Sequence, residues 1–160
     1  MVPLFRLLLI LSLGTTAANA DEKKPAAPAE KAAMEFLTAA LFERDVEKAV
    51  SFVDADAERK SYGKGSLIRD LREEIPDLPP PSGLEIREIH FFRKADVKEL
   101  SERFDPKFGL GRIAERIDDG LGCLVVAKVK SPDGKVKTAY LAWVFQSIDG
   151  QYTVAYQDDD

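Results

Sequence analysis

The sequence predicts an α+β fold in which N-terminal helices pack on a curved antiparallel β-sheet, shaped as a cone or half-barrel. Two observations support this class. Apolar residues recur with helical spacing before residue 76, and after residue 84 they alternate or run on as in strands. The last strands are separated by the turn sequences SPDG and DG, which favour hairpins and therefore an antiparallel meander.

The first 20 residues, MVPLFRLLLILSLGTTAANA, have the pattern of a secretory signal peptide. Arg6 precedes an apolar run from Leu7 to Leu13, and Ala18 and Ala20 give the small-residue pattern of a cleavage site. The apolar run is shorter than the roughly 20 residues that a spanning helix needs. We therefore predict cleavage after Ala20 and a secreted or periplasmic protein that has no membrane anchor after cleavage.

The rest of the chain predicts a lead-in, one domain and a tail. Residues 21–29 are charged, rich in alanine and interrupted by proline, as in flexible linkers. Residues 30–157 suit a single α+β cone domain with one core, and residues 158–160 form an acidic tail. The net charge is −5 and the basic residues are not clustered, so nucleic acid is not expected as a partner.

Three helices are predicted in the first half of the domain. Residues 33–41 place apolar side chains on one helical face, and the pattern restarts after a hinge at residues 43–45. Asp45 is expected to cap the second helix, because its short carboxylate can accept a free amide of the first turn. Ser66 is expected to cap a third helix that ends before Pro76, since IPDLPPPSG opposes regular structure.

Residues 84–92 predict the first strand. Its apolar positions Ile86 and Ile89 differ in parity, which favours a β-bulge near Arg87 and Glu88. The alternative is that both faces of the strand are covered.

The second half of the domain should be mostly strands. One or two helical turns capped by Asp96 are expected within residues 96–104, and an edge strand is favoured for GRIAERIDDG, residues 111–120. LGCLVVAKVK, KVKTAYLAWVFQSI and QYTVAYQ predict the three strands of the final meander.

Two long stretches resemble the nuclear transport factor 2-like superfamily, whose members share a cystatin-like α+β cone. AAMEFLTAALFERDVEKAVSFVDADA is similar to its opening helix, acidic hinge and second helix, and VKSPDGKVKTAYLAWVFQSIDGQYTVAYQ is similar to its terminal meander. The superfamily includes ketosteroid isomerase and scytalone dehydratase. The resemblance implies helices that close the mouth of a half-barrel, but it includes no motif that carries an activity.

The sole histidine, His90, is the candidate catalytic residue. A dehydratase-like cone places histidine and aspartate in its cavity, so the resemblance implies a role for His90 as base, completed by a carboxylate. The alternative is a half-exposed strand residue opposite a core aromatic. A second candidate site is a pair of a carboxylate and a tyrosine, but no spacing favours a particular pair. The tyrosines are Tyr140, Tyr152 and Tyr156, and the carboxylates are Glu85, Glu88, Asp96 and Glu99.

Tyr140, Trp143 and Phe91 are candidate ligand-binding residues. Both faces of the strand around Trp143 are apolar, which packing on two sides would explain. The pattern also indicates that a partner chain covers the outer face, as in a homodimer formed through an open sheet face.

No metal or cofactor is expected. The only cysteine, Cys123, cannot form an intramolecular disulfide, and its apolar neighbours indicate a buried thiol. The acidic stretch DADAE lacks the glycine of a calcium loop, and GLGRIA and YGKGS lack the context or spacing of nucleotide-binding loops.

Two functions follow as hypotheses. The first is an exported, non-catalytic module that binds a small apolar ligand or a protein partner through the cavity of the cone or the open face of its sheet. The alternative is a cone-type isomerase or dehydratase that uses His90 with a carboxylate.

Overall fold

The structure is a computed structural model that describes residues 27–56, 66–104 and 110–159. The signal peptide, most of the lead-in and most of the YGKGS motif lie outside these ranges, as does the first residue of GLGRIA.

Helices come first in the chain, and an antiparallel sheet follows, so the predicted α+β class is confirmed. The helices are α1 (Pro28–Leu37), α2 (Val46–Val50), α3 (Ser66–Asp77), α4 (Val97–Arg103) and α5 (Leu110–Ile117), with a π-helical segment at Thr38–Glu43 and 3₁₀ turns at Pro81–Gly83 and Lys94–Asp96. The strands are β1 (Leu84–Phe92), β2 (Leu121–Lys130), β3 (Val136–Ile148) and β4 (Gln151–Asp159). They form a curved four-stranded sheet in the order β1-β2-β3-β4.

The predicted bulge in β1 is confirmed. The register with β2 shifts between Ile86 and Glu88, so that Ile86 pairs with Ala127 and Ile89 pairs with Val125. The extra residue turns Ile86 and Ile89 toward the same face of the sheet despite their opposite parity.

Both predicted turns connect antiparallel strands. Asp149 and Gly150 have φ values of 50° and 79°, the left-handed pair that a two-residue type I′ hairpin requires. In the other hairpin, Ser131 donates its N–H to the carbonyl of Lys135 at 2.8 Å, and Gly134 adopts a φ of 82°.

One face of the sheet, the inner face, packs on the N-terminal helices. Its core joins Phe36 and Leu37 of α1 and Leu71 of α3 to Cys123 of β2 and Phe145 of β3. The predicted packing of the N-terminal helices on the sheet is therefore present.

The opposite face, the outer face, was expected to be open, but α4 and α5 of the same chain pack on it. Val97, Ile113 and Ile117 lie in one apolar cluster with Leu124 and Val144. The doubly apolar pattern of β3 therefore reflects a helical layer on each side, and burial of this face requires no partner chain.

The hinge between α1 and α2 is built by two consecutive residues. Arg44 has a φ of 57°, which ends the π-helical segment, and its guanidinium donates to the carbonyls of Leu41 and Leu78 at 3.0 Å each and to that of Pro79. Asp45 accepts the N–H of Lys48 at 3.0 Å, so its predicted capping role is confirmed.

Two local predictions are wrong, the end of the third helix and the side-chain cap of α4, although the helical turns predicted after Asp96 are present. Helix α3 continues through Pro76 to Asp77, because buried Ile75 holds the last turn in place and Leu78 still donates to the carbonyl of Glu74 at 3.0 Å. Asp96 does not cap α4 with its side chain, since its carboxylate accepts the N–H of Arg93 at 2.8 Å.

The edge strand predicted at residues 111–120 is instead mainly helix α5. Leu110, Ile113 and Ile117 are buried at a spacing of three and four residues, so a helix directs all three side chains at the sheet.

Candidate functional site

Aromatic side chains fill the hollow of the curved sheet. The ring of Phe36 lies edge-on to three other rings, with centroid distances of 5.5 Å to Trp143, 5.7 Å to Phe145 and 5.9 Å to Phe52. Phe36 and Trp143 are only 0 % and 4 % exposed. The centre of the inner face is therefore a packed core.

The three candidate ligand-binding residues do not line one site. Trp143 and Phe91 lie in the core on the inner face, where the indole N–H of Trp143 donates to Gln157 at 3.0 Å. Tyr140 lies on the outer face, where its ring meets that of Phe104 at 6.2 Å.

His90 also lies on the outer face, and a carboxylate partner lies two residues before it on the same strand. Beyond the bulge, Glu88 and His90 project on the same side of the strand, and His90 Nε2 lies 2.7 Å from Glu88 Oε2. The same oxygen accepts a hydrogen bond from Arg103 of α4 at 2.9 Å. The structure thus brings together a histidine and a carboxylate, as the alternative hypothesis requires.

The geometry defines what this dyad can do. A carboxylate accepts hydrogen bonds, so this contact favours the tautomer in which His90 Nε2–H donates to Glu88 and Nδ1 keeps its lone pair. The imidazole ring packs against the ring of Phe104, with centroids 5.1 Å apart and planes inclined by 57°. The His90 side chain remains 21 % exposed. His90 therefore lies at the edge of the α4 interface, away from the hollow of the sheet.

A surface groove lies where α1 passes the start of β4. It has a volume of about 410 Å³ and is open to solvent. We call it the α1–β4 groove, and its lining residues are Pro28, Lys31, Ala32, Glu35, Ser51, Phe52, Gln151, Tyr152 and Thr153.

The groove has a helical wall, an aromatic floor and a strand edge. Lys31, Ala32 and Glu35 lie within one turn of α1 and face away from the core. Phe52 contributes to the floor and also contacts Phe36, which ties the groove to the core. Apart from Tyr152, one of the tyrosines predicted as a possible partner of a carboxylate, the lining residues were not among the predicted site residues, because they are brought together by tertiary packing and share no sequence motif.

Cys123 is fully buried, and burial raises the pKa of its thiol well above the ordinary value. Its prediction as a buried small hydrophobe is confirmed. Within residues 27–56, 66–104 and 110–159, no three histidine, cysteine or acidic side chains lie close enough to hold a metal ion.

Comparison of the chain with protein-family models, curated proteins and solved structures finds no match. None of the helices in the described part of the chain is both long and apolar enough to cross a membrane.

Proposed function

We propose that this protein is a non-catalytic binding module that holds an apolar group of a small ligand or protein partner in the α1–β4 groove. The signal-peptide pattern of the first 20 residues supports an exported protein. The order of helix, hinge, helix and meander supports the resemblance to the nuclear transport factor 2-like superfamily.

The proposal depends on the difference between the filled hollow of the sheet and the open α1–β4 groove. Phe36 and its aromatic neighbours occupy the hollow of the sheet, whereas the α1–β4 groove is open beside Phe52 and Tyr152. A concave site that combines an apolar floor with a few polar groups is typical of ligand binding. The proposal therefore places the ligand on the surface between α1 and β4.

The experiment fills the groove and measures binding of the apolar dye 8-anilinonaphthalene-1-sulfonate. Ala32→Trp places an indole against the groove, and Ala95→Trp adds the same side chain at an exposed alanine outside it. We expect Ala32→Trp to weaken dye binding at least about tenfold while Ala95→Trp binds like the wild type. Equal binding by all three proteins would show that the groove is not the site.

A second candidate function, acid–base catalysis, is favoured by the 2.7 Å contact between His90 and Glu88. The carboxylate orients the imidazole, as an auxiliary group does for a general base. A base of this kind could remove a proton beside a carbonyl group, which is the step that an isomerase or dehydratase needs.

This candidate can be tested with a simple carbon acid. We expect wild-type protein to accelerate deuterium exchange at the carbons beside the carbonyl of cyclohexanone, followed by NMR in D₂O. His90→Gln and Glu88→Gln should both remove the acceleration, and Glu99→Gln, on exposed α4 surface, should keep it. If His90→Gln exchanges as fast as the wild type, His90 is not the base.

A further inference from the structure

The edge of β4 offers backbone hydrogen-bonding groups to the α1–β4 groove. In the two-residue hairpin, Ile148 pairs with Gln151, and Thr153 pairs with Gln146. Because the direction of backbone groups alternates along a strand, residues 152 and 154 direct theirs away from β3. The bond from the N–H of Val154 to the carbonyl of Phe52, at 2.8 Å, has this outward direction.

Tyr152 lies one pleat before that bond, beside the groove. Among the described residues, no backbone group hydrogen-bonds to the outward N–H or carbonyl of Tyr152. A bound extended peptide could therefore hydrogen-bond to Tyr152, next to the place where Phe52 already accepts the N–H of Val154. Addition of an extended peptide to a free strand edge is a common mode of peptide recognition.

The helical wall carries two opposite charges facing this edge. Lys31 and Glu35 are exposed, line the groove and form no salt bridge with any described residue. Four residues of helix separate them by about 6 Å along the axis. Residues i and i+2 of a strand are separated by about 6.6–6.8 Å and point to the same side.

We propose that the ligand of the α1–β4 groove is an extended peptide segment of a protein partner, added to β4 at Tyr152, with an acidic and a basic residue two positions apart facing Lys31 and Glu35. The inference rests on the proposed binding function of the groove. An extended peptide can offer backbone groups to Tyr152 and charges to Lys31 and Glu35, whereas an apolar molecule offers neither.

The first experiment tests whether binding depends on the order of the acidic and basic residues in the peptide. The probes are the amidated peptides acetyl-Glu-Thr-Lys-Thr-Leu-Thr and acetyl-Lys-Thr-Glu-Thr-Leu-Thr, titrated calorimetrically into the full chain. We expect one order to bind about tenfold more tightly than the other, as two oppositely arranged surface ion pairs would give. The double variant Lys31→Glu/Glu35→Lys should invert this preference, and Lys98→Glu, on exposed α4 surface, should leave it unchanged.

The second experiment tests backbone pairing without changing the protein. The tighter peptide is N-methylated either at residues 1, 3 and 5 or at residues 2, 4 and 6. Only one set of amides can face β4, so we expect one methylated peptide to lose binding at least about tenfold while the other retains it.

The outcomes separate this inference from the proposed function. If the dye binds in an Ala32-dependent manner but neither peptide does, the groove is a site for small ligands and the peptide inference is overturned. It is also overturned if both methylated peptides bind equally, or if the chain alone self-associates through a contact that Ala32→Trp abolishes. If neither dye nor peptide binding depends on Ala32, the proposed function falls as well.

Discussion

The ring of Phe36 on α1 meets the indole of Trp143 on β3 edge-on, with centroids 5.5 Å apart and planes inclined by 69°. Edge-to-face contacts of this kind suit the charge distribution of aromatic rings and add to the free energy gained by burial. The contact places the middle of the first helix against the middle of the sheet. The N-terminal helices and the C-terminal strands therefore share one core and should unfold together.

The hydrogen bond from Trp143 to Gln157 should contribute measurably to stability. Gln157→Leu leaves the buried indole N–H without its 3.0 Å partner, and we expect a loss of about 1–3 kcal/mol in the free energy of unfolding. Urea denaturation measures the loss. In a Trp143→Phe background the same substitution should cost less, and an unchanged cost would show that the bond contributes nothing.

Arg44 should stabilise the hinge through its guanidinium despite its backbone conformation. Arg44→Ala removes the bonds to Leu41, Leu78 and Pro79 but keeps a side chain at a φ of 57°, and we expect a loss of about 2–4 kcal/mol. Arg44→Gly removes the same bonds and tolerates the left-handed backbone, so it should be about 1 kcal/mol more stable than Arg44→Ala. Equal stability of the two variants would contradict this account.

Cys123 should make the protein less stable at alkaline pH. Burial raises the pKa of the folded thiol, whereas the unfolded chain has the ordinary value of 9.0. The stabilising contribution is therefore complete below pH 9 and declines above it, because only the unfolded chain ionises there. We expect a loss of about 1.4 kcal/mol between pH 8 and pH 10 from this group.

Comparison with Cys123→Ala isolates the effect of the thiol. The variant should be less stable at pH 8 because it leaves a small cavity, but its free energy of unfolding should fall less by pH 10. The measurement is urea denaturation at both pH values. The same decline in both proteins would show that Cys123 does not titrate on unfolding.

The position of the Phe92 ring should make glycine necessary at residue 122, because a larger residue would overlap the ring. The two residues pair across β1 and β2, and a Cβ at Gly122 would overlap the ring atoms of Phe92. We expect Gly122→Ala to cost about 1–3 kcal/mol by overpacking. In a Phe92→Leu background its cost should be smaller, and thermal unfolding of the four proteins completes the double-mutant cycle.

Local rules were sufficient to predict much of the fold from the sequence. Asp45 has the side chain and position of a helix cap, and the parity change between Ile86 and Ile89 favours one extra residue in the strand. Asp149 and Gly150 favour the left-handed angles of a tight hairpin. Each of these signals depends on residues close together in the chain.

Tertiary contacts explain the predictions that were wrong. Pro76 disfavours a helix locally, yet packing of Ile75 in the core keeps the last turn of α3 helical. Ile113 and Ile117 are four residues apart, a helical signal in a segment too short to be decisive. Its helix covers the outer face, for which the sequence pattern left open packing on two sides or cover by a partner chain.

The candidate site depended on tertiary structure even more strongly. The sequence named no particular carboxylate for His90. Glu88 and His90 share a side of β1 because side chains alternate along a strand, but the face they occupy and the contact with Arg103 depend on tertiary packing. Tyr152 and Lys31 meet at the α1–β4 groove from positions about 120 residues apart in the sequence. No motif spans such a distance.

The most direct test of the shared core is urea denaturation of Phe36→Ala, followed in parallel by Trp143 fluorescence and far-ultraviolet circular dichroism. We predict coincident transitions and a loss of about 3–5 kcal/mol relative to the wild type, with a smaller loss for the half-buried Phe42→Ala. A loss below about 1 kcal/mol, or sheet and helix signals that unfold separately, would contradict the packing of the first helix in the hollow of the sheet.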